Sequence, residues 1–392
     1  MRIALVHTDG PTETRINHES GMSALVVELV RSGHSLDIIS LLQVDPVKAA
    51  NLVNEKYDCW MTSAHGSDYI GKFLVNVKKP YIFYPHDLYN EKDDYTRLWD
   101  YLLPNVIACA TAPQLAAASK VRSDARPIQW FKKEIYEGIT PTQEGYNMYT
   151  RRVLTPEEKR RNILLVVERG NLKPGSTMTT PEGIVYVHPD YEVITRDLER
   201  HGYRVFKKQF TFKTSHLFHG GSWDPAFADS FGLAMLLHWC DFVLSYESSI
   251  LVEAILVGKI PMQYVPAGSS KELIKFVPDT PTHDLVNEFM STHLTAYQDN
   301  RVFKSVMPAC WIPGVTEKIA APTLYDKLEA LENDDVYKKV SRRLLDYWAL
   351  PDNAPPFSMG MAKAIEDIEG AEMNGTVPDN VRSIFYGGEK QV

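Results

Sequence analysis

The sequence predicts an α/β protein of two doubly wound domains, each a parallel sheet with helices on both faces. Three observations carry this. Short apolar runs alternate with amphipathic segments of helical spacing, the pattern of a parallel sheet with crossover helices. The alternation breaks over residues 136–160 and then resumes. The chain has 392 residues, too many for one ordinary core and suited to two domains of about 150–200 residues.

The first half reads as follows. Residues 3–7 form a strand. Leu25, Val26, Leu29 and Val30 recur at helical spacing within 22–32, and Gly33-His34 ends that helix. Residues 36–41, 57–63 and 81–84 are the next strands. Residues 96–103 read as a helix, 106–110 as a strand, 114–121 as a helix and 127–131 as a last strand. The expected first domain is therefore 1–135. Residues 136–160 hold Gly138, Pro141, Gly145, Pro156 and the cluster Glu157-Glu158-Lys159-Arg160-Arg161 across the break, and are the expected linker.

The second half, 161–350, repeats the cycle. Residues 162–167 and 183–187 are strands, 191–201 a helix, 203–207 a strand and 227–239 a helix. Then come a buried strand (242–244), a polar turn (245–249), a short helix (250–257) and another strand (261–265). Helices over 324–337 and 340–350 precede a Pro-rich break at 351–357. A final helix over 359–368 opens the C-terminal segment, 351–392.

Composition narrows the class. Hydrophobic residues make up 44% and charged residues 23%, ordinary for a globular protein in water. The formal net charge of −8 gives no support to a bulk basic surface and leaves room for a local basic groove. Cys59, Cys109, Cys240 and Cys310 are scattered with no CxxC pair, so reduced buried thiols in a cytoplasm are expected. A strand begins at once, so no signal peptide is expected, and no apolar run approaches the ~18 residues of a membrane span. No Cys/His spacing suggests zinc, and no GxGxxG, GxSxG or Walker sequence occurs.

Candidate site residues lie where strands end, because open α/β sheets bind ligands at their C-terminal edge. The long loop after the first strand carries Asp9 and Gly10, and His65 follows the third strand. Both suit an acceptor site, and both suit ordinary polar turns. The fourth strand ends in Phe83-Tyr84-Pro85-His86-Asp87. Asp87 can take a proton from an attacking hydroxyl, with His86 assisting. The alternative is a helix cap and a locally packed imidazole. In the second half, Arg169 can pair with a phosphate, and His188 can contact a phosphate or base. Either can equally be a surface or turn residue. Lys207, Lys208, Lys213, His216 and His219 alternate with Phe206, Phe210, Phe212 and Phe218. That pattern fits a nucleic-acid strand or an ordinary half-solvated strand.

The segment 240–265 is the most informative. Its turn sets Ser248 and Ser249 between a strand and a helix, where N–H groups and hydroxyls suit a diphosphate. Glu253 falls one helical turn after Ser249, on the same face, and can accept bonds from sugar hydroxyls. Helix capping by serine is the structural alternative and is compatible with binding.

These features together resemble the GT-B class of glycosyltransferases: two Rossmann-like domains, a cleft, and a C-terminal helix that crosses back. The polar turn, the helix with Glu253, and Gly258-Lys259-Ile260-Pro261 are similar to that class near its nucleotide-sugar donor. Ile260 between Lys and Pro departs from its pattern. Glu247 and Glu253 are six apart, whereas the retaining pattern has two Glu separated by seven residues. The first half also resembles phage DNA glucosyltransferases through Met1-Arg2-Ile3, residues 33–41 and residues 81–87, and that resemblance points to Asp87 as an active-site residue. It implies a hydroxymethylated base in DNA as acceptor, with a glycan as the other choice, and a host cytoplasm if the chain is phage-encoded. A UDP-sugar is the expected donor, no cofactor is required, and no divalent metal is indicated. The rival readings are a sugar-nucleotide 2-epimerase and a non-catalytic α/β protein that binds glycan or nucleic acid.

Overall fold

Parallel strands must be joined by crossovers, and both halves of the chain show them. The computed structural model describes residues 1–8, 22–63, 68–84, 104–121, 124–138, 161–167, 173–179, 183, 185–209, 230–245, 248, 250–264, 310–311, 328–329 and 331–375. Two compact units divide the chain. One comprises Met1–Gly138 with Ala349–Val392, the other Ile139–Trp348.

The first unit contains β1 (Arg2–His7), α1 (Ser23–Arg31), β2 (Ser35–Ser40), α2 (Pro46–Lys56), β3 (Cys59–Thr62), α3 (Asp68–Leu74), β4 (Tyr81–Phe83), β5 (Val106–Cys109), α4 (Ala112–Val121), β6 (Ala125–Pro127) and α5 (Phe131–Gly138). The strands form one sheet in the order β2-β1-β3-β4-β5-β6, and every described pairing in it is parallel. Strands covered on both faces must be apolar throughout. Accordingly Ile3, Ala4, Leu5 and Val6 of β1, and Trp60 and Met61 of β3, are fully buried. The ring of Trp60 stacks on Tyr81 of β4 at 4.1 Å.

Two helices in this unit, α2 and α3, lie in stretches where the sequence reading placed none. For α2 the signals were present. Asp45 accepts from the N–H groups of Val47 and Lys48, and Pro46 occupies the first turn. The last strand also differs from expectation. It ends at Pro127, and Phe131 begins a helix instead of closing a strand. The apolar residues there are the inner face of α5, with Phe131 and Ile135 buried four apart. That helix runs to Gly138, so residues 136–138 are helical and do not begin the linker. The helix expected over 96–103 and the rest of the linker lie outside the described residues.

The second unit contains β7 (Asn162–Val167), β8 (Thr177–Thr179), β9 (Val185–Val187), α6 (Tyr191–Arg200), β10 (Arg204–Gln209), α7 (Ser230–Trp239), β11 (Phe242–Ser245), α8 (Ile250–Leu256), β12 (Ile260–Tyr264), β13 (Cys310–Trp311) and α9 (Asp334–Trp348). The main sheet has the order β10-β7-β11-β12-β13. Its pairings are parallel except that β13 runs antiparallel to β12. The strand expected over 183–187 is not in this sheet. It pairs antiparallel with β8 as a separate hairpin. Residues 328, 329 and 331 are helical and a turn at 332–333 precedes α9, so the break between the two helices expected near the end falls at 332–333 and not at 338–339. Asn333 starts α9 by accepting from Asp335 and Val336. Val340, Ser341, Leu344 and Trp348 continue its buried face without a break.

The N-terminal edge of this sheet is tied to α9. Arg161 donates to the Leu331 carbonyl at 3.1 Å, pairs with Asp241 and Asp334, and lies 4.0 Å over the Tyr337 ring. Tyr337 donates to the Asp241 carbonyl at 3.0 Å, and Ser341 to the Gly258 carbonyl at 2.9 Å.

The first unit is completed by the far end of the chain. Helix α10 (Phe357–Asp367) packs on α1 and α5. Pro356 precedes it and has no side chain with which to cap. Glu134 of α5 supplies the cap, accepting from the Ser358 N–H at 2.8 Å and hydroxyl at 2.6 Å. Phe357 sits edge-on or tilted against Tyr84 and Phe131 at 6.0 and 5.7 Å. Gly360 permits close approach, because a Cβ there would stand 2.8 Å from Cγ2 of Ile128.

Two predictions concern this docking. Gly360→Ala should lower the unfolding free energy by about 1–3 kcal/mol through overpacking, read by urea denaturation; an unchanged midpoint would contradict the packing. The second is a pH effect. Hydrogen bonds from Lys363 and then Arg126 hold Asp367 below its ordinary value of 3.8. This contribution is therefore present above that value and lost as pH falls through the lower folded pKa. The pair is exposed, so the effect is small. Asp367→Asn should flatten the acid limb of thermal stability slightly and leave neutral-pH folding intact.

Candidate functional site

The strand orders define where a ligand can enter. Counting only its own strands in chain order, each main sheet starts 2-1-3-4. The chain leaves β7 through α6 toward β10 on one side, and leaves β11 through α8 toward β12 on the other. The C-terminal ends of β7 and β11 therefore flank a topological switch point, where the two connections part and leave a crevice. The first unit has the equivalent point at the ends of β1 and β3.

In the second unit the turn after β11 forms one side of the crevice. Ser245, the last residue of the strand, is fully buried, and its Oγ accepts from the Ser248 N–H at 3.1 Å. Ser248 in turn accepts from the Ile250 N–H at its Oγ (3.3 Å) and from the Leu251 N–H at its carbonyl (3.2 Å). The turn is thus held by its own hydroxyls. A hydroxyl both accepts and donates, so capping by Ser248 is compatible with contact to a ligand. Ser245 was not among the expected site residues, although its position at the strand end was visible.

All seven residues of α8 are buried. A helix apolar all round belongs in a core, and Glu253 is the one charged residue in it, 5% exposed. Burying a carboxylate is costly unless hydrogen-bond donors or cations engage it. Its retention one turn into this helix is the strongest chemical signal in the second unit.

The other side of the crevice follows β7. Here the chain makes an excursion, the β8–β9 hairpin, before α6 begins. Lys173-Pro174-Gly175-Ser176 turns back on itself, with the Ser176 N–H donating to the Lys173 carbonyl at 3.0 Å. His188 extends the hairpin pairing: its N–H donates to the Ser176 carbonyl and its carbonyl accepts from Gly175, both at 2.8 Å. Two residues on, Asp190 caps α6 by accepting from Glu192 and Val193. The His188 ring meets Tyr191 edge-on at 5.4 Å and is 7% exposed. The backbone, held on both sides, places His188 at the C-terminal edge, and little of its ring is open. The Pro-Gly pair followed by Thr177, Met178 and Thr179 was the sequence signal for this hairpin.

Other expected features fall elsewhere. Gly258 and Lys259 lie at the opposite edge of the sheet, where β12 starts. Gly258 has φ 77° and closes α8, its N–H bonding the Ile255 carbonyl and that of Lys259 the Ala254 carbonyl. Burial holds Lys259 below the ordinary lysine range, opposed by Asp241. This part of the motif ends a helix and is not at the ligand edge. The described part of the Lys/Phe run is an edge strand of the sheet. Phe206 stacks on Trp239 at 6.0 Å, and Lys207 pairs with Glu192 at 2.6 Å. Desolvation pushes the thiols of Cys59 and Cys109 up to about 12, so these buried cysteines stay protonated. Asp9, Gly10, His65, His86, Asp87, Arg169, Ser249, Lys213, His216 and His219 lie outside the described residues. Among the described residues no helix is long and apolar enough to cross a membrane.

Two Rossmann-like α/β units, each with a switch point, define a broad class, and the comparisons agree at that level. No protein-family model matches the sequence, and no curated protein matches it. Among solved structures, the chain is similar to the wall teichoic acid polymerase TagF, with 11% identity and a TM-score of 0.50 over 99% of this chain and 90% of that one. It is also similar to UDP-GlcNAc 2-epimerase from Neisseria meningitidis bound to UDP-GlcNAc, with 10% identity and a TM-score of 0.49 over 94% of this chain and 99% of that one. Identity this low speaks for the fold alone. The fold is α/β with two Rossmann-like, GT-B-like domains. Nothing in these likenesses supports the phage or DNA-modifying part of the expected resemblance.

Gly258→Ala tests the division between the two edges. Nothing lies within 4 Å of a Cβ at Gly258, so the cost is conformational. A loss of about 1 kcal/mol in unfolding free energy is expected, measured by denaturant titration. A much larger loss would mean that the turn also packs.

Proposed function

We propose that the protein is a glycosyltransferase that moves a sugar from a nucleotide-sugar to an acceptor hydroxyl. The observation that carries this reading is the buried Glu253 behind the Ser245–Ser248 turn at the β7/β11 switch point. A polar, hydroxyl-rich turn suits a diphosphate, and a carboxylate one helical turn in suits a sugar or ribose hydroxyl. The fold likeness to TagF is compatible with this reading, and its 11% identity speaks for the fold alone.

In this reading a UDP-sugar is the donor. Its diphosphate is held by Arg169, His188, Ser248 and Ser249, and its sugar or ribose by Glu253. Asp87, helped by His86, takes the proton of the acceptor hydroxyl as that oxygen bonds to the anomeric carbon. The bond from that carbon to the diphosphate oxygen breaks, and the Arg169 guanidinium and the serine hydroxyls of the turn stabilise the departing diphosphate. Asp9, Gly10 and His65 belong to the acceptor side, on the first unit. The acceptor is a glycan hydroxyl, with a hydroxymethylated base in DNA as the other candidate to assay.

Three measurements test this. A UDP-sugar at about 100 times its Kd should stabilise the protein by about 2.7 kcal/mol, seen as a rise in melting temperature. No shift with any nucleotide or nucleotide-sugar would sink the proposal. Asp87→Ala should cut transfer by about 10²–10⁴-fold and leave the donor-induced shift intact. Glu253→Gln should instead reduce that shift. Incubation with a nucleotide-sugar alone separates the rivals. A 2-epimer formed without acceptor indicates an epimerase. Binding with no nucleotide diphosphate released, whatever the acceptor, indicates a non-catalytic binding protein.

A further inference from the structure

The C-terminal segment carries a reactive dipeptide at the point where it is tied to the sheet. Asn374-Gly375 is the one Asn-Gly pair in the sequence. In such a pair the glycine nitrogen can attack the asparagine Cγ and close a five-membered succinimide. Glycine offers this nitrogen with no Cβ beside it to block the approach. Both residues are exposed, so water reaches the ring once it forms.

The fold explains why both residues are there, and it also restrains them. Gly375 has φ 127°, in the positive range that favours glycine. Asn374 docks the segment against the chain just before β5. Its Nδ2 donates to the Pro104 carbonyl at 3.0 Å, and its Oδ1 accepts from Asn105 Nδ2 at 3.5 Å. The same Nδ2 of Asn105 donates to the Glu372 carbonyl at 2.8 Å, and Asn105 Oδ1 accepts from the Tyr81 N–H at 3.0 Å. The anchor is therefore tied to the starts of both β4 and β5. The Gly375 N–H donates to the Met373 carbonyl at 2.6 Å. Ring closure requires the Asn374 amide to leave Pro104 and the Gly375 nitrogen to give up the proton it shares with Met373. The docked state disfavours the reaction, and each local opening permits it.

We propose that Asn374 is a self-modification site, protected while the C-terminal segment is docked and docking more weakly once it has reacted. The only reagent is water. The Gly375 nitrogen loses its proton to solvent base and bonds to Cγ of Asn374, while the bond from Cγ to Nδ2 breaks and ammonia leaves. Water then adds to one of the two ring carbonyls and opens the ring, leaving aspartate or its β-linked isomer. Either product carries a carboxylate, which accepts and cannot donate. An oxygen then faces the Pro104 carbonyl where an N–H stood, and that hydrogen bond is lost. The isomer also adds a methylene to the main chain. The proposal does not depend on the reaction catalysed, because Asn105 lies where β5 starts, at the sheet edge opposite the ligand side.

Incubation of the full chain at mildly alkaline pH, with peptide mass spectrometry of position 374, tests this beside a synthetic peptide of residues 370–380. The native chain should convert at least about tenfold more slowly than the peptide, because only the open fraction reacts. Asn105→Asp keeps the acceptor for the Tyr81 N–H, removes the donor to Glu372, and should move the rate toward that of the peptide. Urea below the unfolding transition should do the same without a substitution. Asn374→Asp, which reproduces one product, should speed cleavage after Glu372 by a Glu-specific protease several-fold, measured relative to matched peptides. A native chain that reacts as fast as the peptide would overturn the proposal. So would a rate unmoved by both Asn105→Asp and urea, or an Asn374→Asp chain cut no faster than the wild type.

Discussion

The return of the C-terminal segment to the first unit is the constraint on which much of that unit's order depends. Glu134 and Ser358 are 224 residues apart in sequence, yet the carboxylate of one caps the helix that begins with the other's turn. Gln129 binds the Pro355 and Ala354 carbonyls, Arg126 binds Asp367, and Asn105 binds the Glu372 carbonyl. These contacts gather the β4–β6 side of the sheet and α5 around one late helix. Closing so long a loop costs little more entropy than closing a shorter one. What secures it is burial: Phe357, Met361, Ala364 and Ile365 are all inside.

In the second unit the stabilising network and the candidate ligand site lie at opposite edges of the sheet. The N-terminal edge holds Arg161, Asp241, Tyr337 and the Gly258 turn, a network that joins strand starts to α9. The C-terminal edge holds the serine turn, the hairpin with His188, and the buried carboxylate. Parallel strands impose this division. Every crossover helix begins at one edge and ends at the other, so helix N-termini gather at the edge where the strands finish.

Legibility varied with the locality of the signal. The strands β1, β5, β7 and β11 were readable because a parallel strand buried on both faces is a bare apolar run. Helix α1 and its Gly33 stop were readable from spacing and turn chemistry. The β6–α5 boundary was not, since Gln129-Trp130-Phe131 looks as apolar as a strand and becomes helix only because Phe131 and Ile135 pack inward. The short strand at 185–187 was recognised as a strand but assigned to the wrong sheet, because the three-residue β8 that pairs with it is too weak a pattern to read alone. Of the candidate residues, the positions of Ser248 in the turn and Glu253 one turn into the helix are readable from the strand–turn–helix spacing.

The amino-acid order alone determined the α/β class, the two-unit layout and the serine–glutamate corner, because these rest on local periodicity and on neighbours within one turn. Tertiary structure decided the 2-1-3-4 strand order and hence the switch point. It also decided which helix caps which, and that Glu253 is buried while the Gly258-Lys259 pair sits at the far edge. Those outcomes depend on which strand pairs with which, and β7 pairing with β11 across 75 or more residues leaves no mark in either segment.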